Sequence, residues 1–505
     1  MTPPATIFNF PLPQSSKLRP GEIVVDLFAG GGGASEALKQ AIGIDPHLAY
    51  NHDADAIGMH AANHPLTIHH RQDIWHANPA KDVNGRPVGW LHASPDCTHF
   101  SQAKGGQPRS HKIRALTWVV LKWAGQLARV GSAPRIISLE NVRQILTWGP
   151  LVAKRCKTTG RVLKMDGSVA APGERVPIEN QQLIPDKRRA GRTWNRFISA
   201  MKAQGYAVEW RLLTACDYGA ATSRERLFLL ARRDGEAIHW PEPTHGPGRP
   251  KPHLSAASCI DFDIPCPSIF DRPKPLADAT LRRIARGMMK HVIEAEEPFF
   301  ITEFANASSG RTWSGSEPLR TQCAGVKGGH FALITAFLDQ ANGGGPNGNP
   351  ASARSVRDPV SSITASGSQQ RLVICTLSPE AETGALRVAA FLINYYGNGT
   401  ALHLQDPLDT ITTRDRLALV TVYLHGTPYV IVDIGLRMLQ PHELYLAQGF
   451  PLDYIHTHTA DGWQLTKTAQ VRMVGNSVSP PPLRALVEAN LDQQAIQAMP
   501  RRVHT

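Results

Sequence analysis

The chain has 505 residues, of which 42% are hydrophobic, with a formal net charge of +12 and a pI near 9.5; it is long enough for two domains or one large domain with an insertion, and its basic balance favours polyanionic partners. Seven cysteines, with no CxxC pair and no Cys/His cluster at zinc spacing, argue against a disulfide scaffold or a zinc module and read as reduced thiols in a cytoplasm. The N-terminal arm, residues 1–20, has no apolar stretch long enough for a signal or a membrane span, so a cytoplasmic, nucleoid-associated protein with no membrane partner is expected.

From residue 21 to about 233, short apolar β-branched runs alternate with helical stretches, which predicts a largely parallel α/β sheet. Candidate strands end near Asp26, near Asn51, at Asp73, at Pro95, at Glu140, at Leu213 and at Leu230. In an open sheet of this kind ligands gather at the carboxyl ends of the strands. The first of these strands, Ile23-Val24-Val25-Asp26-Leu27-Phe28, runs into Ala29-Gly30-Gly31-Gly32-Gly33, where missing Cβ atoms let a ligand approach the backbone.

Ser94-Pro95-Asp96-Cys97 ends a later strand and Glu140-Asn141-Val142 the next clear one, which places a thiol and a carboxyl on one rim. A thiol attacks only as thiolate, so Cys97 needs positive charge or donors nearby, which the loop with Thr98, His99, Ser101 and Lys104 could supply. The loop Gln102 to Lys112, hinged at Gly105-Gly106, is expected to act as a lid with Lys104, Arg109 and Lys112 on phosphates. Residues 154–192, rich in Lys, Arg, Gly and Pro, read as an inserted loop or small hairpin, either a solvated excursion or a phosphate contact.

Residues 234–435 form a β-rich second domain with a loose repeat of strand, acidic-Pro-apolar turn and strand. Its units start at Phe299-Phe300-Ile301, Phe337-Leu338 and Phe391-Leu392-Ile393. From 436 to 505 the helical pattern returns and the chain rejoins its α/β core.

Taken in order, these segments resemble the cytosine-C5 DNA methyltransferase family of bacteria and phages. Asp26-Leu27-Phe28-Ala29-Gly30-Gly31-Gly32 resembles its cofactor loop, Pro95-Asp96-Cys97-Thr98-His99-Phe100-Ser101 its nucleophile motif and Glu140-Asn141-Val142 its acidic motif. Tyr218 to Arg226 resembles its paired-arginine motif, and Arg437 to Pro451 and Gly475-Asn476-Ser477-Val478 its last two. Six such motifs in order are specific where one would be weak.

The resemblance implies a Rossmann-like methyltransferase fold with a β-rich target-recognition domain inserted before the last motifs, and S-adenosylmethionine as methyl donor. It implies Cys97 as nucleophile on C6 of a flipped cytosine, Glu140 at the N3 and amino edge, and Arg226 with Arg224 at the O2 side. Phe28, Ala29, Gly30, Gly31 and Gly32 would face the cofactor, Asp73 its adenine amino group and Ile74 its ring, with Asn51 on the ribose and His52 stacking. Asp26, Pro95, Asn476, Ser477 and Val478 complete that set. The inserted domain would face the major groove, with Arg320, Gln322, Arg371, Arg414 and Arg416 as candidates. Double-stranded DNA is the implied partner, a cognate restriction endonuclease a further one, and a monomer is expected.

Three positions depart from the family pattern. Asn51-His52 stands where Glu and an aromatic residue are usual, Asp96 where Pro usually precedes the nucleophile, and Thr222 where Gln is usual. A carboxylate beside Cys97 would raise the thiol pKa, so Asp96 is expected to turn away from the sulfur. Two alternatives stay open: an RNA cytosine-5 methyltransferase on the same scaffold, and a DNA-binding protein with weak or lost catalysis.

Overall fold

The structure is a computed structural model. It describes residues 14–97, 99–100, 108–294, 300–304, 312–314, 331–340, 353–365, 370–378, 385, 387–388, 391–392, 421–424 and 427–491. The chain divides into two units, Met1–Gly219 with Arg224–Lys251 and Gly449–Thr505, and Ala220–Ser223 with Pro252–Gln448. The main stretch of the second unit, Pro252–Gln448, lies somewhat later than the expected 234–435, and Ala220–Ser223 joins it from before that range.

The first unit is built on β1 (Ile23–Leu27), β2 (Leu48–Asn51), β3 (Ile68–Arg71), β4 (Val88–Ala93), β5 (Ile136–Asn141), a short pair β6 (Leu151–Ala153) and β7 (Leu183–Pro185), β8 (Ala207–Thr214) and β9 (Glu225–Arg232). The main sheet has the order β3-β2-β1-β4-β5-β9-β8; its first five strands are parallel and β9 is antiparallel to both neighbours. All seven expected strand ends fall at or within a few residues of these strands. The order reverses at β1, whose neighbours are β2 and β4, so a crevice opens at the carboxyl ends of those strands.

The intervening helices are α1 (Gly33–Ile42), α2 (Ala54–Asn63), α3 (Pro79–Val83), α4 (His111–Ala115), α5 (Val119–Arg129) and α6 (Arg192–Ala203). β1 is buried along its whole length, as its β-branched run requires of a strand covered on both faces. Ile23, Val25 and Leu27 join a core with Trp123 and Leu127 of α5 and Phe197 and Met201 of α6. Val24 points the other way, into a core with Leu38 and Ile42 of α1 and Leu483 and Leu486 of the helix Pro480–Glu488. In α6, Trp194, Phe197, Ile198 and Met201 recur at helical spacing and supply its buried stripe.

The stretch 154–192 is a small β elaboration. β6 and β7 pair antiparallel, and bridges join Arg155 to Val162, Leu163 to Val169 and Lys164 to Gln181.

The second unit has a helix α7 (Asp278–Met288) and strands β10 (Phe300–Phe304), β11 (Thr312–Ser314), β12 (Phe331–Gln340), β13 (Ala353–Ser355), β14 (Gln370–Ser378), β15 (Thr421–Leu424) and β16 (Thr427–Met438). They form an antiparallel sheet, β11-β10-β12-β14-β16-β15, with β13 on β12. Leu281, Ile284 and Met288 of α7 cover it, and Gly287 leaves room for the Phe337 ring. The expected three separate units run together, because β12 contains both the return strand of the first and Phe337-Leu338 of the second. Phe391 and Leu392, expected in a strand, are helical, and Phe391 meets Phe270 edge-on at 6.2 Å. A short apolar run fits either period, so burial rather than periodicity decided its state. The turns at 317–319 and 406–408 lie outside the described residues.

The glycine loop is shaped by the chain's late return. A Cβ on Gly33 would lie 2.0 Å from the Val478 carbonyl oxygen, and one on Gly32, at φ +81°, 2.0 Å from the Tyr454 hydroxyl. Gly33→Ala is therefore expected to lower stability by about 1–3 kcal/mol, the usual cost of overfilling a close-packed site. Gly125→Ala in α5, whose nearest neighbour would be 3.6 Å away, is expected to leave the thermal midpoint unchanged or raise it; equal midpoints for the two variants would contradict this account of the loop.

Candidate active site

The crevice at the switch point is a cavity of about 310 Å³. Phe28 and Gly30 enter it after β1, Asn51, His52 and Asp53 after β2, Asp73 and Ile74 after β3, Ser94 to Cys97 after β4, and Glu140 from the end of β5. Arg224, Arg472, Met473 and Asn476 complete the lining. Phe28 has φ +67°, a left-handed conformation that a bulky residue seldom adopts and that tends to occur at functional sites.

At one end of the cavity stand the expected nucleophile and acid. Glu140 is 7% exposed and forms an ion pair with Arg226, Nε to Oε1 3.1 Å. Burial raises the Glu140 pKa against the lowering influence of Arg226 and Arg224. Burial likewise pushes the Cys97 thiol above its ordinary value; Arg226 opposes this, Glu140 adds to it, Arg224 opposes it, and Asp96 adds least. Asp96 itself is exposed. The rise at Cys97 is thus mainly a matter of burial, and the unusual carboxylate before it is a small part of it.

Two side chains hold this end in place. Asn141 donates from Nδ2 to the Pro95 carbonyl at 2.9 Å, tying the end of β5 to the loop that carries Cys97, while its Oδ1 accepts from the Val142 N–H at 2.9 Å. Arg224, expected beside the base, is buried and donates to the carbonyls of Gly475 and Ser477 at 3.1 and 2.9 Å. It reaches the cavity wall, but these bonds make it a strut to the C-terminal segment. Beyond Cys97 the backbone turns, with Phe100 N–H donating to the Cys97 carbonyl at 2.9 Å. His99 accepts from the Ser110 N–H through Nδ1 at 2.6 Å, just before α4.

The other end carries the residues expected to hold a cofactor. Ile74 is a buried wall. Asp73 accepts from the Trp75 N–H through Oδ1 at 3.0 Å, and among the described residues its other oxygen has no protein partner. Asn51 accepts from the Asp53 N–H through Oδ1 at 2.9 Å, so part of its hydrogen-bonding capacity shapes its own turn. Phe28, Gly30, Asn51, His52, Asp73, Ile74, Pro95 and Asn476 all line the cavity.

Asp26, Ala29, Gly31, Gly32, Ser477 and Val478 are not part of the lining; they belong to the glycine loop or pack against the elements beside it. Asp26 is fully buried, accepts from the Ser35 hydroxyl at 2.6 Å and is pushed up to about 7 by burial. Ala29 N–H donates to the Tyr50 carbonyl at 2.9 Å. Ser477 Oγ accepts from the Gly33 N–H at 3.0 Å, the Tyr454 hydroxyl donates to the Gly31 carbonyl at 2.8 Å, and Val478 is buried in the core with α1. Gly31 lies against the Met473 backbone.

Sequence reasoning missed Arg472, Asp53 and Met473. Arg472 is ion-paired with Asp53 and with Asp55, at 3.4 Å from the latter, which links the helix Lys467–Asn476 to the start of α2 across the cavity mouth. Asp53 was legible as the N-cap of α2, accepting from the Ala56 N–H at 3.1 Å; nothing in the sequence pattern marked Arg472.

Of the residues expected on DNA, Arg109 donates its N–H to the Leu183 carbonyl of β7 at 2.8 Å. Arg371 has a side chain that is 12% exposed and ion-paired with the fully buried Asp339, which also pairs with Arg283 at 3.2 Å. A buried carboxylate needs cationic partners, and this need sets Arg371's place. Lys104, Arg320, Gln322, Arg414 and Arg416, with the Gly105-Gly106 hinge, lie outside the described residues.

A family model described as C-5 cytosine-specific DNA methylase matches residues 23–151 and 176–300, just over half of the chain. The Type II methyltransferase M.AgeI of Thalassovita gelatinovora is 26% identical over 45% of this chain and 43% of its own length. The Type II methyltransferase M.AquIA of a Picosynechococcus strain is 25% identical over 44% of this chain and 77% of its own. The chain thus matches less than half of the first relative. A Spodoptera frugiperda DNMT2 structure aligns with a TM-score of 0.44 and 13% identity over 92% of this chain and 98% of that one.

The electrostatics at Cys97 have a measurable consequence. Alkylation of Cys97 by iodoacetamide in the free protein, followed by mass spectrometry of its peptide, is expected to keep rising with pH beyond the range of an ordinary thiol. Glu140→Gln removes a negative neighbour and should move the curve to lower pH, whereas Arg226→Gln removes a positive one and should move it to higher pH. Asp96→Asn should move it only slightly downward; a larger shift than that of Glu140→Gln would overturn the ranking.

Proposed function

The chain belongs to the C-5 cytosine-specific DNA methylase family, and from that premise we propose that it transfers a methyl group from S-adenosylmethionine to C5 of a flipped cytosine in duplex DNA. The observation that carries the reading is that Cys97 and Glu140 open into one cavity at the topological switch point, with Arg226 paired to the carboxyl. The relatives' names as Type II methyltransferases support DNA rather than RNA as substrate.

The residues can divide the chemistry as follows. C5 of cytosine is a poor nucleophile until C6 has been attacked, and Cys97 is the side chain placed to do so. Burial disfavours its thiolate, and Arg226 and Arg224 offset that penalty. Glu140, whose proton burial helps to retain, faces the N3 edge and supplies a proton where negative charge develops on the ring. Arg226 orients that carboxyl through the 3.1 Å pair. Asn141 keeps the two strand ends together, and Arg224 positions the C-terminal wall. The cavity must exclude water while the base is out of the stack.

The cavity fits the methyl donor. Phe28 and Ile74 offer apolar walls of the kind that an adenine ring needs, the carboxylate of Asp73 lies beside them, and Gly30 presents bare backbone. Asn51 and His52 would meet the ribose end and Asn476 the opposite wall. When bound, S-adenosylmethionine supplies a methyl group on a sulfonium, which the activated C5 can take.

The second unit, whose antiparallel sheet is built mainly from the segment inserted in sequence before Gly449, is the natural candidate for target recognition. Within a restriction-modification pair the partner would be a cognate endonuclease, and we take the chain to act as a monomer within the cell. No helix among the described residues is long and apolar enough to cross a membrane.

Bisulfite sequencing of DNA from cells expressing the protein is expected to show methylated cytosine in one short sequence context, and Cys97→Ala to abolish it. Purified Glu140→Gln should transfer labelled methyl groups to duplex DNA at least ~10²-fold more slowly, the lower range for loss of a general acid. Transfer to tRNA but not to duplex DNA would refute the reading.

A further inference from the structure

The insertion and the helix after it carry a second cationic feature that the chemistry above does not use. Arg189, Arg192 and Arg196, with Thr193, surround a basin of about 660 Å³ against Trp118 and Pro150. We propose that this basin binds phosphodiester groups of the duplex flanking the flipped cytosine; the inference rests on the DNA-directed reading above.

Arg189 closes the turn Lys187–Arg189, Gly191 turns the chain at φ +78°, and Arg192 and Arg196 follow one helical turn apart at the start of α6. In isolation this arrangement is unfavourable. Like charges four residues apart repel, and cations at the first turn oppose the helix dipole. The first turn of α6 has no acidic residue to relieve them. Among the described residues neither Arg192 nor Arg196 forms an ion pair, and Arg189 has only Asp186 at 3.6 Å. Lys187 and Arg188 add to the same positive potential. Guanidinium groups gathered on one basin match phosphate oxygens, which they can bind in pairs, and the resulting release of counterions would favour a polyanion.

The basin also lies close to the turn that carries Cys97. Trp118 rests on Trp148 with ring centroids 5.5 Å apart, and Trp148 meets Phe100 edge-on at 5.6 Å. Phe100 is in turn hydrogen-bonded to the Cys97 carbonyl. Two aromatic contacts therefore separate the cationic floor from the nucleophile turn. The Arg109 N–H bond to Leu183 of β7 ties the insertion to the segment that follows that turn. A backbone entering the cavity with its cytosine would pass within reach of such a site.

The test uses the full chain and a labelled duplex containing the sequence that it methylates. In the double variant Arg192→Gln/Arg196→Gln, the slope of log affinity against log salt is expected to fall by about 2, because each phosphate neutralised contributes about 0.9. The methylated sequence and the affinity for S-adenosylmethionine should be unchanged. Arg192→Lys/Arg196→Lys, which keeps the charge, should restore most of the slope, and Arg129→Gln, an exposed residue at the end of α5, should leave it as it is. An unchanged slope in the Gln variant, an equal fall in Arg129→Gln, or a fall seen with tRNA but not with the duplex would overturn the proposal. Failure of the wild type to methylate any duplex would instead defeat the functional reading, and the basin's assignment with it.

Discussion

The close approach of the glycine loop to the returning C-terminal segment is the constraint on which the site depends. Gly33 gives its N–H to Ser477, 444 residues further along the chain, and Gly31 takes the Tyr454 hydroxyl on its carbonyl. Neither contact would survive a side chain on the loop, since the Cβ positions of Gly32 and Gly33 are already filled. Through the same segment Arg224 is drawn into place, so one wall of the cavity, the cofactor loop and the paired-arginine motif are held together. A crevice at a switch point is a property of the sheet order. Its closure into a cavity is a property of this contact.

Within the cavity, opposing electrostatic demands are met by one group. Burial raises both Cys97 and Glu140, which suits the acid proposed at Glu140 and hinders the nucleophile proposed at Cys97. Arg226 lies between these demands, paired to the carboxyl while lowering the thiol. The site is therefore balanced toward a protonated resting thiol, and the conspicuous Asp96 is a minor influence on that balance. Desolvation, rather than sequence neighbourhood, is the main influence on the Cys97 thiol.

Much of the fold was legible because its strands are short, β-branched and end at residues of special type. The run Ile23 to Leu27 could only be a strand buried on both faces, and the thiol and carboxyl ending β4 and β5 had to share a rim. What misled was chemistry read without its surroundings. Asp26 carries a carboxyl beside the cofactor loop, yet it is turned to Ser35 and fully buried. Arg371 is a cation in a β-rich insertion, yet it serves the buried Asp339. Phe391 and Leu392 have the composition of a strand and lie in a helix. In each case burial and partnership, which local pattern does not contain, set the residue's surroundings.

By itself, then, the amino-acid sequence determined the order of the strands' chemical endings and the reaction class they resemble, because residue type and spacing are local. The tertiary structure decided which of those residues face the cavity and which hold it in shape. It made Asn141 and Arg224 struts, brought in Arg472 unannounced, and set three arginines from the insertion's end and the helix after it on one basin. The physical reason is that a residue's role is fixed by its partners and its exposure to water, and for Arg224, Arg472 and Gly33 those partners come from segments hundreds of residues apart.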